Sequence, residues 1–177
     1  MARLNILEYP DPALRQVSTR VTRFDPDLVT LIDDLFETLK VTGGLGLSAP
    51  QAGQPKRVVV IHVPDDDHGP QAYVNPELLT RAVPGLVEEG CLSVPGIIGN
   101  VVRATQVRVR AQDRDGQLFE RDLSGMHAVC VQHEMDHLDG KLFIDRLSWF
   151  RRWRIKATTA KSLRTNRTRQ RQRLRST

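Results

Sequence analysis

Residues His133-Glu134-Met135-Asp136-His137 form an HExxH pattern. On a helix, histidines at i and i+4 share one face a turn apart, close enough for both imidazoles to hold a single metal ion. The glutamate beside the first histidine is then placed to move a proton to or from a reacting water. The competing account makes both histidines core-facing groups bonded to backbone. That account leaves every ring nitrogen on an apolar stripe needing a partner in low dielectric. Metal-assisted hydrolysis is the chemistry that the spacing favours.

A catalytic metal site requires a third protein ligand and an open coordination position. After His137 the chain contains no His, Glu or Cys, and only Asp139 and Asp145 as carboxylates. Upstream, Cys91 stands in Glu88-Glu89-Gly90-Cys91-Leu92-Ser93-Val94-Pro95-Gly96, where Gly and Pro suit a tight backbone path that presents a side chain at a fixed position. Cys91 is therefore the expected third ligand. Cys130 is its rival, one turn before His133 on the same face, but a ligand at i−3 would crowd the histidine pair. Cys130 is expected to form pocket wall.

The elements that must position these groups are legible from periodicity. Asp25 and Pro26 precede Leu28, Leu31, Ile32, Leu35, Phe36 and Leu39, an amphipathic helix behind a capping Asp and a first-turn Pro, with Gly43 and Gly44 to stop it. Leu45 to Gln51 is too rich in Gly and small residues for a stable helix and is expected as a close-packed loop and short strand. Arg57 to Val63 is β-branched, and from Val101 to Ala111 apolar residues alternate with Arg108 and Arg110, so both runs are expected as strands. Asp115-Gly116 turns the chain into a strand over Gln117 to Leu123 that pairs back. Ser124 can cap the helix bearing Met126, Val129, Cys130, His133 and His137, and Gly140 sits where it should end. The fold class is α+β, with antiparallel sheets around a central helix carrying HExxH.

The 177 residues suit one domain with a proper core. Two cysteines exclude a disulfide scaffold, and no apolar run reaches the length of a membrane span. The opening residues lack the features of a secretory signal, so the cytoplasm is the expected compartment. The net charge of +5 conceals a division: residues 146–177 carry 12 of the 26 Lys and Arg and none of the 21 Asp and Glu. An acidic body over residues 1–147, holding the chemistry, is followed by a basic tail over 148–177 that begins with Ser148-Trp149-Phe150-Arg151-Arg152-Trp153 and is expected to start as a helix and fray. Clustered cations of this kind attract a polyanion, either RNA or an anionic membrane surface, and the competing account is a solvated tail with no partner.

Three segments resemble the signature motifs of the peptide deformylases, in order and at that family's separations: Gly44 to Gln51, Glu89 to Ser93, and Gln132 to Leu138. The likeness runs from near the N-terminus to about Leu147. It implies a metal-dependent hydrolase that removes the N-formyl group from the formylmethionine of nascent polypeptides and releases formate. It also implies iron(II) as the ion, with zinc, nickel or cobalt as alternatives, since sulfur ligation is compatible with both iron and zinc. Carried over by position, Cys91, His133 and His137 become the ligands, Glu134 the general base and acid, and Gln51 and the Leu92 backbone N–H the oxyanion donors. Gly46 is then a substrate contact, and Leu45, Val87, Glu89, Met126, Val129 and Cys130 line or support a methionine pocket.

Ser48 stands where that family commonly has Ala, with no assigned role, and Gly96 to Asn100 lacks the polar residue that some members present to the peptide beyond methionine. His62, His68 and His127 match no ligand position and are expected as surface or packing residues. An HExxH endopeptidase and an inactive ribosome-binding paralogue are the competing readings. The first lacks its downstream ligand, and the second is disfavoured by the intact Glu134. The resemblance further implies docking of the basic tail on ribosomal RNA. A monomer is the expected state.

Overall fold

The computed structural model describes residues 2–64 and 66–158. Helix α1 spans Pro26–Thr42, and the Asp25 side chain accepts a hydrogen bond from the Leu28 N–H at its start. Gly43 ends it in the left-handed region at φ 68°, a conformation that costs glycine little. Five strands follow in sequence: β1 (Gly46–Ser48), β2 (Val58–Ile61), β3 (Gln71–Glu89), β4 (Gly99–Gln112) and β5 (Leu118–Ser124). Each pairs antiparallel with its sequence neighbour, giving one five-stranded sheet in the order β1-β2-β3-β4-β5. Helix α2 (Gly125–Leu138) carries the HExxH pattern, and residues 149–158 form a further helix, α3. The structure is α+β, as the patterning predicts.

Both faces of the sheet's first half are covered, which explains why Val58–Ile61 is apolar at every position rather than alternating. Val58 and Val60 face α1 with Leu28, Ile32, Leu35 and Leu39. Val59 and Ile61 face the opposite way, into a cluster with Tyr73, Val107, Val109, Ala128 and Val131 that seats α2. A third cluster joins Leu14, Val94 and Val101 to Leu142, Phe143, Ile144 and Leu147.

Strand β3 departs from the sequence expectation, which contains no strand between Val63 and Val101. Pro76, Pro84 and Gly85 interrupt its pattern, and such residues ordinarily argue against a strand interior. Its register against β4 shifts between Val74 and Glu77 and again between Leu78 and Thr80, while Asn75 and Val83 adopt positive φ. Bulges absorb what the prolines cannot pair. At the start of α2, Ser124 occupies the cap position but its side chain makes no capping bond. The histidine-bearing helix is held by packing rather than by its cap.

Asp145 ties the last turn of the body to its N-terminal segment, pairing with both terminal guanidinium nitrogens of Arg15 and accepting the Leu142 N–H. Burial alone would raise its pKa, but the Arg15 and Leu142 bonds outweigh it and hold the carboxyl below its usual range. A depressed folded-state pKa contributes stability that is present above the unfolded value of about 3.9 and disappears as pH falls through the folded one. Urea denaturation of Asp145→Asn is therefore expected to show a loss of stability at pH 7 that closes as pH falls below about 4. A loss that is the same at every pH would contradict this assignment.

Candidate metal centre

All three groups of the HExxH pattern are buried: His133 at 8%, Glu134 at 3% and His137 at 1% exposure. Cys91 follows the end of β3 in a turn where the Val94 N–H donates to its carbonyl at 2.9 Å. This turn brings the Cys91 Sγ to 3.2 Å from the His137 Nε2. One ligand atom from each of Cys91, His133 and His137 lies within 4.8 Å of the others. The imidazoles stand edge to face, with centroids 5.1 Å apart.

Orientation of His133 comes from a buried ion network. Its Nδ1 lies 2.8 Å from Glu89 Oε2, which turns the opposite nitrogen toward Cys91. Glu89 in turn receives both Nε and Nη2 of Arg103 at 2.6 and 3.0 Å. The Arg103 Nη1 donates to Asp136 Oδ2 at 2.6 Å, and Arg146 completes the chain with two bonds to Asp136. Burial opposes the Glu89 charge, yet the His133 and Arg103 hydrogen bonds hold its pKa down at about 2. Sequence reasoning missed Arg103 and Asp136 altogether and took Glu89 only as pocket lining. The one available signal was an arginine at a strand position whose neighbours Val101, Val107 and Val109 point inward.

The donor set suits a divalent transition ion, because one sulfur and two imidazole nitrogens are the ligands such ions favour. Burial lowers the basicity of both histidines. His133 nonetheless stays raised through its bonds to Cys91 and Glu89, while the His133 charge adds to burial in keeping His137 far below its ordinary value. The pair does not accept two protons, and a cation shared between them resolves the conflict. Glu134 is raised by its burial, and its Oε2 has no hydrogen-bond partner.

A cavity of about 470 Å³ opens onto this centre, lined by Leu45, Gly46, Gln51, Glu89, Cys91, Leu92, Met126, Val129, Cys130, His133 and Glu134 among others. Of the sequence-predicted residues, Val87 is not part of that lining; it sits on β3 opposite Val101. Cys130 is pocket wall, with burial raising its thiol pKa well above the ordinary value. A Cβ at Gly46 would lie 2.6 Å from the Cys130 Sγ and 2.9 Å from Glu134 Oε1, so β1 approaches α2 as closely as a bare backbone allows. The Gln51 Oε1 accepts from both the N–H and the hydroxyl of Ser48, at 2.9 and 2.7 Å. The Gln51 amide nitrogen consequently faces Ser93 Oγ at 3.2 Å and Cys91 Sγ at 3.7 Å. Ser48, unassigned from sequence, is what points this amide into the centre.

A half-buried cysteine sulfur and two buried imidazoles beside a buried glutamate, at the floor of an apolar cavity in an α+β fold, define the class: a metal-dependent hydrolase. A family model described as polypeptide deformylase matches residues 3–153. A peptide deformylase of Hahella chejuensis is 48% identical over 157 residues, covering 88% of this chain and 94% of that one. Among solved structures, a peptide deformylase from Legionella pneumophila superposes with a TM-score of 0.85 at 43% identity, covering 93% of this chain and 98% of that one. The Ehrlichia chaffeensis peptide deformylase in complex with actinonin gives a TM-score of 0.85 at 36% identity, over 91% and 98% of the two chains. The chain belongs to the polypeptide deformylase family. It is an enzyme of protein biosynthesis that removes the N-formyl group from new polypeptides, not an endopeptidase or an inactive paralogue.

Replacing Arg103 by Met would remove one of the two groups that compensate the buried Glu89 charge, and breaking a buried pair in this way typically costs about 3–5 kcal/mol. Chemical denaturation of Arg103→Met is expected to show a loss of that size, together with weaker metal retention on dialysis. A loss below about 1 kcal/mol would mean that the network is not under the electrostatic constraint described.

Proposed function

We propose that Cys91, His133 and His137 hold one divalent cation, and that Glu134, Gln51 and the Leu92 backbone N–H act on a formyl group bound beside it. The observation that carries this reading is the convergence of the three ligand atoms within 4.8 Å next to a buried Glu134 whose Oε2 is unpaired. Iron(II) is taken as the native ion, as the sequence resemblance implies, with zinc, nickel or cobalt as substitutes that the same donors accept. When bound, such an ion makes a water more acidic and polarises a carbonyl oxygen.

The residues then divide the work. Glu134 accepts the proton of the attacking water, whose oxygen bonds to the formyl carbon. A raised pKa equips it to hold that proton and deliver it to the departing amine as the C–N bond breaks. The Gln51 amide and the Leu92 N–H donate to the formyl oxygen as its negative charge grows, a contribution of roughly 3 kcal/mol for one preorganised donor. Gly46 receives the peptide backbone. Leu45, Met126, Val129 and Cys130 enclose the methionine side chain, whose flexible thioether suits an apolar cavity. Formate and a free N-terminus leave.

Metal-loaded protein prepared anaerobically is expected to release formate from formyl-Met-Ala-Ser. Glu134→Gln should lower kcat by about 10²-fold or more, and Gln51→Ala by about 10²–10³-fold, with the metal retained in both. Glu134→Gln turning over at the wild-type rate would remove Glu134 from the mechanism.

The tail, residues 148–177, is proposed to dock this enzyme on ribosomal RNA, acting as a monomer in the cytoplasm. In its described part, α3 exposes Trp149, Phe150 and Trp153 at 78%, 51% and 61% beside Arg151, Arg152 and Arg154. Cations that neutralise phosphate next to aromatic faces that stack on bases suit RNA. The remainder of the tail, from residue 159, lies outside the described residues. Co-sedimentation with ribosomes is expected to weaken steeply with salt and to vanish on removal of residues 151–177, while formate release from the short peptide is retained. Unchanged co-sedimentation after truncation would overturn the docking role.

A further inference from the structure

A second group of ligand-type side chains lies away from the cavity. Between β2 and β3, Asp66 and His68 fold back on each other: the His68 Nδ1 is 2.6 Å from Asp66 Oδ1, and the His68 backbone N–H donates to the same oxygen at 2.9 Å. The first turn of α2 brings His127 to meet them, its Nδ1 3.3 Å from Asp66 Oδ1. One ligand atom from each of the three residues lies within 4.8 Å of the others, and the two imidazoles meet edge to face at 5.3 Å.

His127 is the informative member. It is 1% exposed, and its Nδ1 is buried without a hydrogen-bond partner despite its proximity to Asp66. Its other nitrogen is occupied: the Nε2 lies 2.8 Å from the hydroxyl of Tyr73, itself fully buried. An imidazole with one nitrogen fixed by a hydroxyl and the other aimed, unpaired, at a carboxylate has the arrangement of a metal ligand with its outer partner in place. Burial keeps the imidazole below its ordinary pKa against the pull of Asp66. The neutral imidazole is the form that coordinates.

We propose that Asp66, His68 and His127 form a second metal site, distinct from the catalytic centre, that takes a divalent ion of the zinc type through two imidazole nitrogens and one carboxylate oxygen. Zinc bonds to such ligands at about 2.0–2.2 Å, which sets neighbouring ligand atoms of a tetrahedral site roughly 3.3–3.6 Å apart. The 3.3 Å separation of His127 from Asp66 already meets that value, and the 2.6 Å contact between His68 and Asp66 opens as the ion enters. Binding replaces the His68 Nδ1 hydrogen bond to Asp66, the ring hydrogen moving by way of solvent to the Nε2. His68 and Asp66 retain 32% and 18% side-chain exposure, so the fourth position is open to water. The site would pin the connection between β2 and β3 to the start of the helix that also carries His133 and His137. His127 and His133 are separated by roughly 9 Å along that helix axis, so the two ions do not share ligands.

The test is stoichiometry on the full chain. After equilibrium dialysis against buffered micromolar Zn(II), wild-type protein is expected to retain two ions per chain, and Asp66→Ala/His68→Ala one. The single variant His68→Ala, at a partly exposed position, serves if the double variant folds poorly, and formate release should be unchanged in both. Titration with Co(II) separates the sites, because only the Cys91 centre can give a thiolate charge-transfer band. A second Co(II) should add absorption without that band, whether or not the first centre is catalytic. One equivalent in the wild type, or a second equivalent that survives in the variants, would overturn the proposal and leave the cluster as a hydrogen-bonded packing group.

Discussion

Arg103 is 3% exposed, and a guanidinium in that position is tolerable only because carboxylates meet it on two sides. Glu89 from the end of β3 and Asp136 from α2 supply them, and Arg146 takes up the remaining charge of Asp136. The geometry of the metal centre follows from that neutralisation. Glu89 is held charged and in place, so His133 offers it one nitrogen and the centre the other. The same strand end runs directly into Cys91. A single buried cation thus sets both the orientation of one imidazole and the position of the cysteine sulfur, two features that metal affinity cannot tolerate being loose.

A second constraint is steric. β1 passes so close to α2 that Gly46 has no room for a side chain against Cys130 and Glu134. The close approach brings the following turn, Ala49–Ala52, to the centre, where Ser48 turns the Gln51 amide nitrogen toward the sulfur. A hydrogen-bond donor whose carbonyl end is already committed to two bonds loses little freedom when it meets a developing charge, which is the meaning of preorganisation here. Substrate room comes from the same packing: the cavity wall is the face of α2 that the sheet leaves uncovered, at Met126, Val129 and Cys130.

Helix α2 therefore serves several tasks within fourteen residues. Ala128, Val131 and Leu138 anchor it in the core, His133, Glu134 and His137 face the centre, and Asp136 enters the ion network. His127, in its first turn, meets Tyr73 and Asp66 on another side. Nearly every position from His127 onward is buried, which accounts for the absence of a polar face.

Much of this was legible in the amino-acid sequence because it depends on neighbours along the chain. The i and i+4 spacing of His133 and His137, the capped amphipathic run behind Asp25, the Asp115-Gly116 turn and the strands around Val58 and Val109 are local patterns with local causes. Strand β3 was not legible, since its prolines and bulges hide a pairing that only β4 stabilises. Nor were the roles of Arg103 and Ser48: Arg103 meets Glu89 and Asp136 at separations of 14 and 33 residues, and Ser48 matters only because a turn points Gln51 at a sulfur 40 residues on. The chain by itself determined which ligand types exist and which face of a helix two of them share, because backbone geometry repeats with a fixed period. Tertiary structure decided which groups meet them and how those groups are turned, because burial and charge compensation are properties of the whole packed interior rather than of any segment.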